Sequence, residues 1–582
     1  MMFGSHPSRG LVLLAALAVS TSLTASPKEK SSNAEVKFTA RAELVLVPAI
    51  VTDKAGNHIT GLKKEDFSVF ENGIEQKIAT FEEIASDPHR LRRPTNPNEF
   101  TNSLTGETST RRITLMVLDL VNTRFTDQAY ARQDLLKYLT QSVDQREPTA
   151  LFTLTRTGLH VIHDFTTDPR VLIAALHKLR GDPYEMVDSP EEVEAITGAA
   201  SPDGSAGTTA ISSVPTTGRG ANGAEQSVQR EVQQLQTMLE DSELNFQSFE
   251  QRIAITYTLD AMQEVAQAMA GFPGRKSLIW ASGGFPFNVS DNTMQLAPAG
   301  RDTLADVLPL YEHTWQLLND AQISLYPVDV KGLQVTAMAN ASIRNPGKNF
   351  SRNMNWRQLD TQGTLETFAA MTGGRAYFNS NDLVRGYRDA VNDSAEYYML
   401  GYYLDRSNTQ SGWRKLAVKS KREHTEVRAR SGFFISKATV DPEDSRTLDI
   451  NSALRSPLDY TSLPFVARWG KIELGKEAGN KAVNYELHLQ IDSTLVDDAD
   501  NNHIALEILA LTRSIDGKTV NPPLGQKVDL HLTPERLAAM RQKGLIYTNA
   551  LNLPAGDYTV RFVVRNDLNG RIGSVAAPLK VE

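Results

Sequence analysis

The chain has 582 residues, no cysteine and a formal net charge of −8. The length points to roughly two to four domains, and the modest acidity argues against nucleic acid as the main partner. Without cysteine there are no disulfides, thiol nucleophiles, iron–sulfur clusters, cysteine-ligated zinc or cysteine-linked lipid anchors.

The N-terminus reads as a secretory signal. Arg9 precedes an apolar run over 11–19, and the small residues Ser20, Ser22, Ala25 and Ser26 follow, so a signal peptide over 1–25 is expected. That run is short for a bilayer span, and no later stretch approaches ~20 apolar residues. The mature protein is therefore expected in the periplasm or cell envelope, or secreted, with no transmembrane segment.

Residues 38–84 read as a small β module. Positions 42–52 alternate as a strand, Gly56 supplies a turn, and Asn72-Gly73 reads as a hairpin turn. Residues 85–110, rich in Pro, Asn and Thr, read as a linker.

An α/β domain is expected over 111–395. The apolar run 113–118 suits a strand covered on both faces, and it ends at Asp119 before the polar Asn122, Thr123 and Arg124. A helix follows over 127–140. Further strands are expected at 151–155, 276–282 and 323–329, with helices at 169–180, 252–270, 302–321 and 363–371. This is a doubly wound, mostly parallel sheet, and ligands of such sheets sit at the carboxyl ends of the strands. Residues 184–224 read as a disordered insertion, because 197–224 are rich in Gly, Ser, Thr and Ala and hold hardly any large apolar side chain. Residues 225–250 follow as a helix that packs on the domain edge or binds a partner. The loop 340–356 carries Arg344, Lys348 and Arg352, which either meet an acidic partner or are simply solvated.

Residues 396–436 read as a β extension of antiparallel strands packed on the N-terminal module, with its tyrosines in the core. Residues 437–460 read as a linker with a short helix. Residues 461–582, with alternating strands at even spacing, read as an immunoglobulin-like β-sandwich that spaces or binds.

The order of elements in 111–395 resembles a von Willebrand factor type A domain. In that family an Asp-x-Ser-x-Ser loop, a later Thr and a Thr-Asp-Gly loop hold a divalent cation that bridges to an acidic group of the partner. Here the loops read Asp119-Leu120-Val121-Asn122-Thr123 and Ser282-Gly283-Gly284, and the later Thr aligns as Thr256, with Thr258 close by. The resemblance implies Asp119, Thr123, Thr256 and Ser282 as ligands of Mg²⁺ or Ca²⁺. It also implies Asn122 and Gly283 beside them on a partner-binding edge, with Arg344 and Arg352 near it. Val121 stands for the middle Ser and Gly283 for the second Asp, so two oxygens are missing, and one carboxylate is a weak cage for a hard cation. Capping of the following turn by Asp119 explains its position equally well. Both readings stay open at this point.

A second set of motifs carries a more specific resemblance. Val51, Asp53, Gly56, Ile59, Gly61, Leu62, Asp66, Phe67, Val69, Glu71, Asn72 and Gly73 fall in one pattern, followed by segments at 273–285, 372–378, 397–403 and 427–433. Together they resemble the exported, type A-related proteins abundant in acidobacteria. The expectation is a non-catalytic, adhesion-type protein that binds another protein or a cell-surface polymer. An envelope scaffold acting through its β domains is the second expectation. The third is a hydrolase using Ser282. Its Trp280-Ala281-Ser282-Gly283-Gly284 stretch partly resembles a nucleophile elbow, but Trp280 replaces the first Gly. A nucleophilic Ser also needs a His base with an orienting acid, and His160, His163, His313 and His424 lie in no supporting motif. No catalytic residue is expected.

Overall fold

The computed structural model describes residues 43–85, 98–103, 113–141, 147–179, 234, 238, 249–285, 287–290, 293–295, 304–332, 362–380, 382–404, 412–435, 442–475, 479–491, 495–496 and 502–582. The expected signal peptide, the 184–224 insertion, most of the 225–250 helix, and Arg344 and Arg352 lie outside them. The described chain is a mixed α/β protein with several sheets.

The central sheet has five strands in the order Ile323–Asp329, Lys276–Ser282, Ile113–Asp119, Thr149–Thr155, Gly158–Thr166. The first four run parallel, and the last returns antiparallel. Three of them are buried at every position, as strands with helices on both faces must be. Their side chains alternate between two cores. Leu115, Val117, Leu278, Trp280 and Leu325 face the helices at 249–269, Leu304–Asp320 and 362–372. Met116, Leu118, Ile279, Tyr326 and Val328 face Phe125–Gln141, Pro169–Lys178 and Leu383–Asn392. From Ile113–Asp119 the chain first moves to one side of the sheet, then resumes on the other at Lys276–Ser282. The crevice between the carboxyl ends of these two strands is where open α/β sheets bind ligands.

Two further four-stranded sheets surround a second core. One has the order Glu426–Ala429, Glu43–Thr52, Glu396–Leu404, Thr80–Ala85, and the other Gly432–Ile435, Gly412–Ser420, Phe67–Glu71, Ile74–Gln76. Each sheet mixes strands from before and after the α/β domain. The segments at 38–84 and 396–436 thus interleave, and Val47, Val69, Leu400, Tyr402 and Phe433 share one core. Tyr398 and Tyr402 lie in it with their hydroxyls satisfied. Tyr398 Oη donates to Ile59 O at 2.9 Å, and Tyr402 Oη to Glu71 Oε2 at 2.9 Å.

The C-terminal unit is a pair of four-stranded antiparallel sheets, Leu545–Pro554, Asn480–Leu489, Phe465–Leu474, Glu99–Thr101 and Leu524–His531, His503–Ser514, Gly556–Asn566, Ile572–Val581. Tyr485, Leu487, Ile504, Leu506, Val560 and Phe562 fill its core. One edge strand comes from the stretch that reads as a linker. Glu99–Thr101 pairs with Phe465–Leu474, and buried Asn102 fixes it. Asn102 Nδ2 donates to Tyr460 O at 2.6 Å and Leu463 O at 3.0 Å, while Phe465 N donates to Asn102 Oδ1 at 2.9 Å. Three residues are too few to show an alternation, so composition alone hides this strand.

The sandwich docks on the α/β domain through a continuous apolar core. Ala453 and Leu454 of the Pro442–Arg455 helix, Leu458, Tyr460, Leu509 and Val563 join the core under the 249–269 helix. Backbones meet closely at Gly271, where an added Cβ would lie 2.0 Å from Thr461 O. Thr461 Oγ1 donates to Ala268 O at 2.7 Å and accepts from Gly271 N at 2.8 Å.

Glu264 lines this junction, with Ser456 Oγ donating to it at 3.3 Å. Burial pushes its carboxyl up to about 7, opposed by the Ser456 hydrogen bond. A folded pKa above the unfolded one means that the native state holds the extra proton. That contribution is fully present below the unfolded carboxyl range, about 4.3, and is lost as pH rises through about 7. Lys276, buried and pushed down to about 7, has the opposite sign, but it acts only above that pH. Raising pH from about 5 to about 7 should therefore lower the thermal midpoint of the native chain more than that of Glu264→Gln. Parallel pH curves for the two would contradict this assignment.

Candidate functional site

The strands Ile113–Asp119 and Lys276–Ser282 run side by side in register, with Leu118 opposite Ala281, so Asp119 and Ser282 arrive together at the sheet's carboxyl end. Asp119 is 1% exposed. Its Oδ1 accepts from the backbone N–H of Val121 at 3.1 Å and of Asn122 at 2.9 Å, which closes the loop on itself. Its Oδ2 accepts from Asn122 Nδ2 at 2.8 Å, Trp280 Nε1 at 3.0 Å and Ser282 Oγ at 2.9 Å. Five donors thus meet a carboxylate with about four lone-pair sites. Burial pushes the Asp119 carboxyl above its ordinary range, while the hydrogen bonds from Asn122, Trp280 and Ser282 pull it down.

The rest of the loop is tied just as closely. Buried Thr123 accepts from Gly283 N through Oγ1 at 2.9 Å. Gln128, in the first turns of the following helix, donates to Leu120 O at 3.2 Å and Thr123 O at 3.0 Å. Asn122 Nδ2 also lies 2.9 Å from Thr258 Oγ1, and Thr258 donates to Ala254 O at 2.8 Å.

The structure brings together Asp119, Asn122, Thr123, Ser282 and Gly283, and the threonine that joins them is Thr258. Thr256 is elsewhere on the helix surface, donating to Arg252 O at 3.0 Å. Positions two apart on a helix face different ways. The signal that separates the two is the buried stripe Ala254, Thr258, Ala261, Met262, Val265, which includes 258 and skips 256.

A cation does not fit this arrangement. Asp119, the sole carboxylate of the expected ligand set, has its lone pairs filled, and Thr123 Oγ1 is engaged by a backbone N–H. Gly283, where the resemblance would place a second Asp, is packed against the loop. An added Cβ there would lie 2.8 Å from Asn122 O and 3.3 Å from Thr123 Cα. Trp280, read from the sequence only as the residue in place of a nucleophile elbow's first Gly, is the partner that sequence reasoning missed. It is fully buried, and its indole N–H has to find an acceptor.

Ser282 is equally committed. Its single Oγ–H is shared between Asp119 Oδ2 and Gly284 O, its Oγ accepts from Gly284 N at 3.2 Å, and none of these partners is a histidine. The rim of the loop, by contrast, presents apolar surface. Phe125, at the start of the Phe125–Gln141 helix, is 48% exposed, and Tyr130 is 64% exposed.

No family model matches the chain, and no curated protein matches it. Among the described residues no helix is long and apolar enough to cross a membrane.

Proposed function

We propose that this is an exported, non-catalytic binding protein of the von Willebrand type A-related kind. It docks a protein or cell-surface polymer on the carboxyl edge of its central sheet, and does so without a cation. The sheet order and the paired loops at Asp119 and Ser282 support the type A-like reading, and the paired antiparallel sheets support an immunoglobulin-like one for the C-terminal unit. The observation that carries the proposal is the engagement of both Asp119 oxygens by five internal donors. The residue that would ligate a metal instead holds the binding loop rigid. A loop fixed before contact loses little conformational freedom on binding, and Phe125 supplies an apolar anchor at its rim. Asn122 and Gly283 belong to this edge, and Arg344 and Arg352 are proposed to meet acidic groups of the partner.

The envelope-scaffold reading has its own support. On the C-terminal unit Leu474 is 87% exposed, Ile515 86% and Ile546 50%. A photo-crosslinking residue placed at Phe125, and separately at Ile515, distinguishes the two in cells that express the protein. A defined partner adduct from position 125 and none from 515 is the expected result. Adducts from 515 alone would replace the edge with the scaffold.

A further inference from the structure

The strands His503–Ser514 and Leu524–His531 pair antiparallel with His503 directly opposite His531 and Ala505 opposite Asp529. Ile504 and Leu506 point into the sandwich core, so His503 and Ala505 face outward, together with Asp529 and His531. Asp529, opposite Ala505, reaches along the ladder toward both imidazoles. His503 Nε2 lies 3.0 Å from Asp529 Oδ1, and His531 Nδ1 lies 3.7 Å from the same oxygen. The two rings stack, with centroids 4.1 Å apart. One ligand atom from each of the three residues falls within 4.8 Å of the others. The end of the ladder is pinned, since Asn502 Nδ2 donates to Leu532 O at 3.1 Å.

We propose that His503, Asp529 and His531 form a divalent transition-metal site, with Zn²⁺ the expected ion and a coordination position left open to solvent. Two imidazoles and one carboxylate are the three-ligand set that zinc takes when it keeps a fourth position open. Imidazole also suits Cu²⁺ and Ni²⁺, whereas Mg²⁺ and Ca²⁺ want more oxygens than the cluster offers. The pairing register holds two ligands at the separation of a cross-strand pair. The His503 side chain is 14% exposed and anchors the site, while Asp529 at 69% and His531 at 55% leave it open to an incoming ion and can adjust around it. The ion would enter between the two ring nitrogens, where Asp529 Oδ1 now makes both contacts. This site stands on the C-terminal sandwich and is independent of the Asp119 edge.

The test is calorimetric titration of Zn²⁺ into the intact, chelator-stripped chain, carrying no histidine tag, at about pH 7.5. The expected result is one ion per chain, with affinity at least tenfold weaker in His531→Ala and in His503→Ala. His488→Ala removes another sandwich histidine, one paired with Glu486, and should leave the titration unchanged. Co²⁺ loaded in place of Zn²⁺ should give a visible absorption band that His531→Ala abolishes. Because His531 is half-exposed, this variant should keep its fold, which far-UV circular dichroism checks. Zn²⁺ binding unaltered in the His503→Ala/His531→Ala double variant would overturn the proposal, as would no binding to the folded native chain at millimolar Zn²⁺.

Discussion

Replacing Asp119 with Ala should cost the α/β domain about 3–5 kcal/mol and leave Mg²⁺ and Ca²⁺ binding unchanged. The substitution strips acceptors from the buried N–H of Val121 and the buried Trp280 indole, and from the half-buried N–H of Asn122. Each buried donor left unmade costs about 1–3 kcal/mol. Asn122 Nδ2 and Ser282 Oγ keep second partners, in Thr258 and Gly284, which limits the loss. Asp119→Asn keeps one acceptor oxygen but turns an amide N–H₂ toward other donors, so its loss should be smaller though still clear. Urea unfolding followed by tryptophan fluorescence reports the difference. A working cation site would behave the other way, with Asp119→Ala abolishing Mg²⁺ heats while the unfolding midpoint barely moves. That outcome would sink the metal-free reading of the edge.

Arg561→Met should have a comparable effect at the junction between the sandwich and the α/β domain. Arg561 is 6% exposed and sits where the sandwich meets the Pro442–Arg455 helix. Its Nε donates to Ala453 O at 2.6 Å, and its Nη2 donates to Leu458 O and, at 3.0 Å, to Ser574 Oγ. Nη1 lies 3.5 Å from Asp459 Oδ1. Methionine fills much of the volume but leaves the carbonyls of Ala453 and Leu458 without this donor, while Asp459 Oδ1 keeps the Ala576 N–H at 3.1 Å. Each buried carbonyl left without its donor costs about 1–3 kcal/mol, whereas the contact to Asp459, whose side chain is 36% exposed, adds little. The loss should appear as faster amide hydrogen exchange and faster proteolysis across residues 456–464, with the central sheet protected as before. Native-like protection at this junction would show that the apolar core and the Thr461 hydrogen bonds hold the two units together without Arg561.

The elements of the central sheet were legible because strands buried on both faces leave contiguous apolar runs. The runs ending at Asp119, Ser282 and Asp329 all proved to be strands of that sheet. The helix faces were legible too, but only when read by period. Alignment to a motif selected Thr256, whereas the buried stripe selects Thr258. What the motif could not convey is where the hydrogen bonds go. Asp119 satisfies a cation loop and an internally bonded loop equally well as a letter, and Trp280 Nε1 together with two backbone N–H groups separates them. Long-range pairing was the other blind spot. Glu99–Thr101 is too short to carry a pattern, and His503 meets His531 only because the register of two strands places them opposite each other.

The interleaving of the two β segments has a consequence for biosynthesis. Among the described residues, strand Glu43–Thr52 forms its ladders with Glu396–Leu404 and Glu426–Ala429, on the far side of the whole α/β domain, apart from a bridge between Thr52 and His58 at its end. Until those residues have been made and delivered, an apolar ribbon with both hydrogen-bonding edges bare must wait in solution. Such ribbons invite pairing with a second chain, and contacts this distant in sequence form late. This early strand is thus among the last to be paired, and the chain's yield should depend on a holding factor that shields it during the wait.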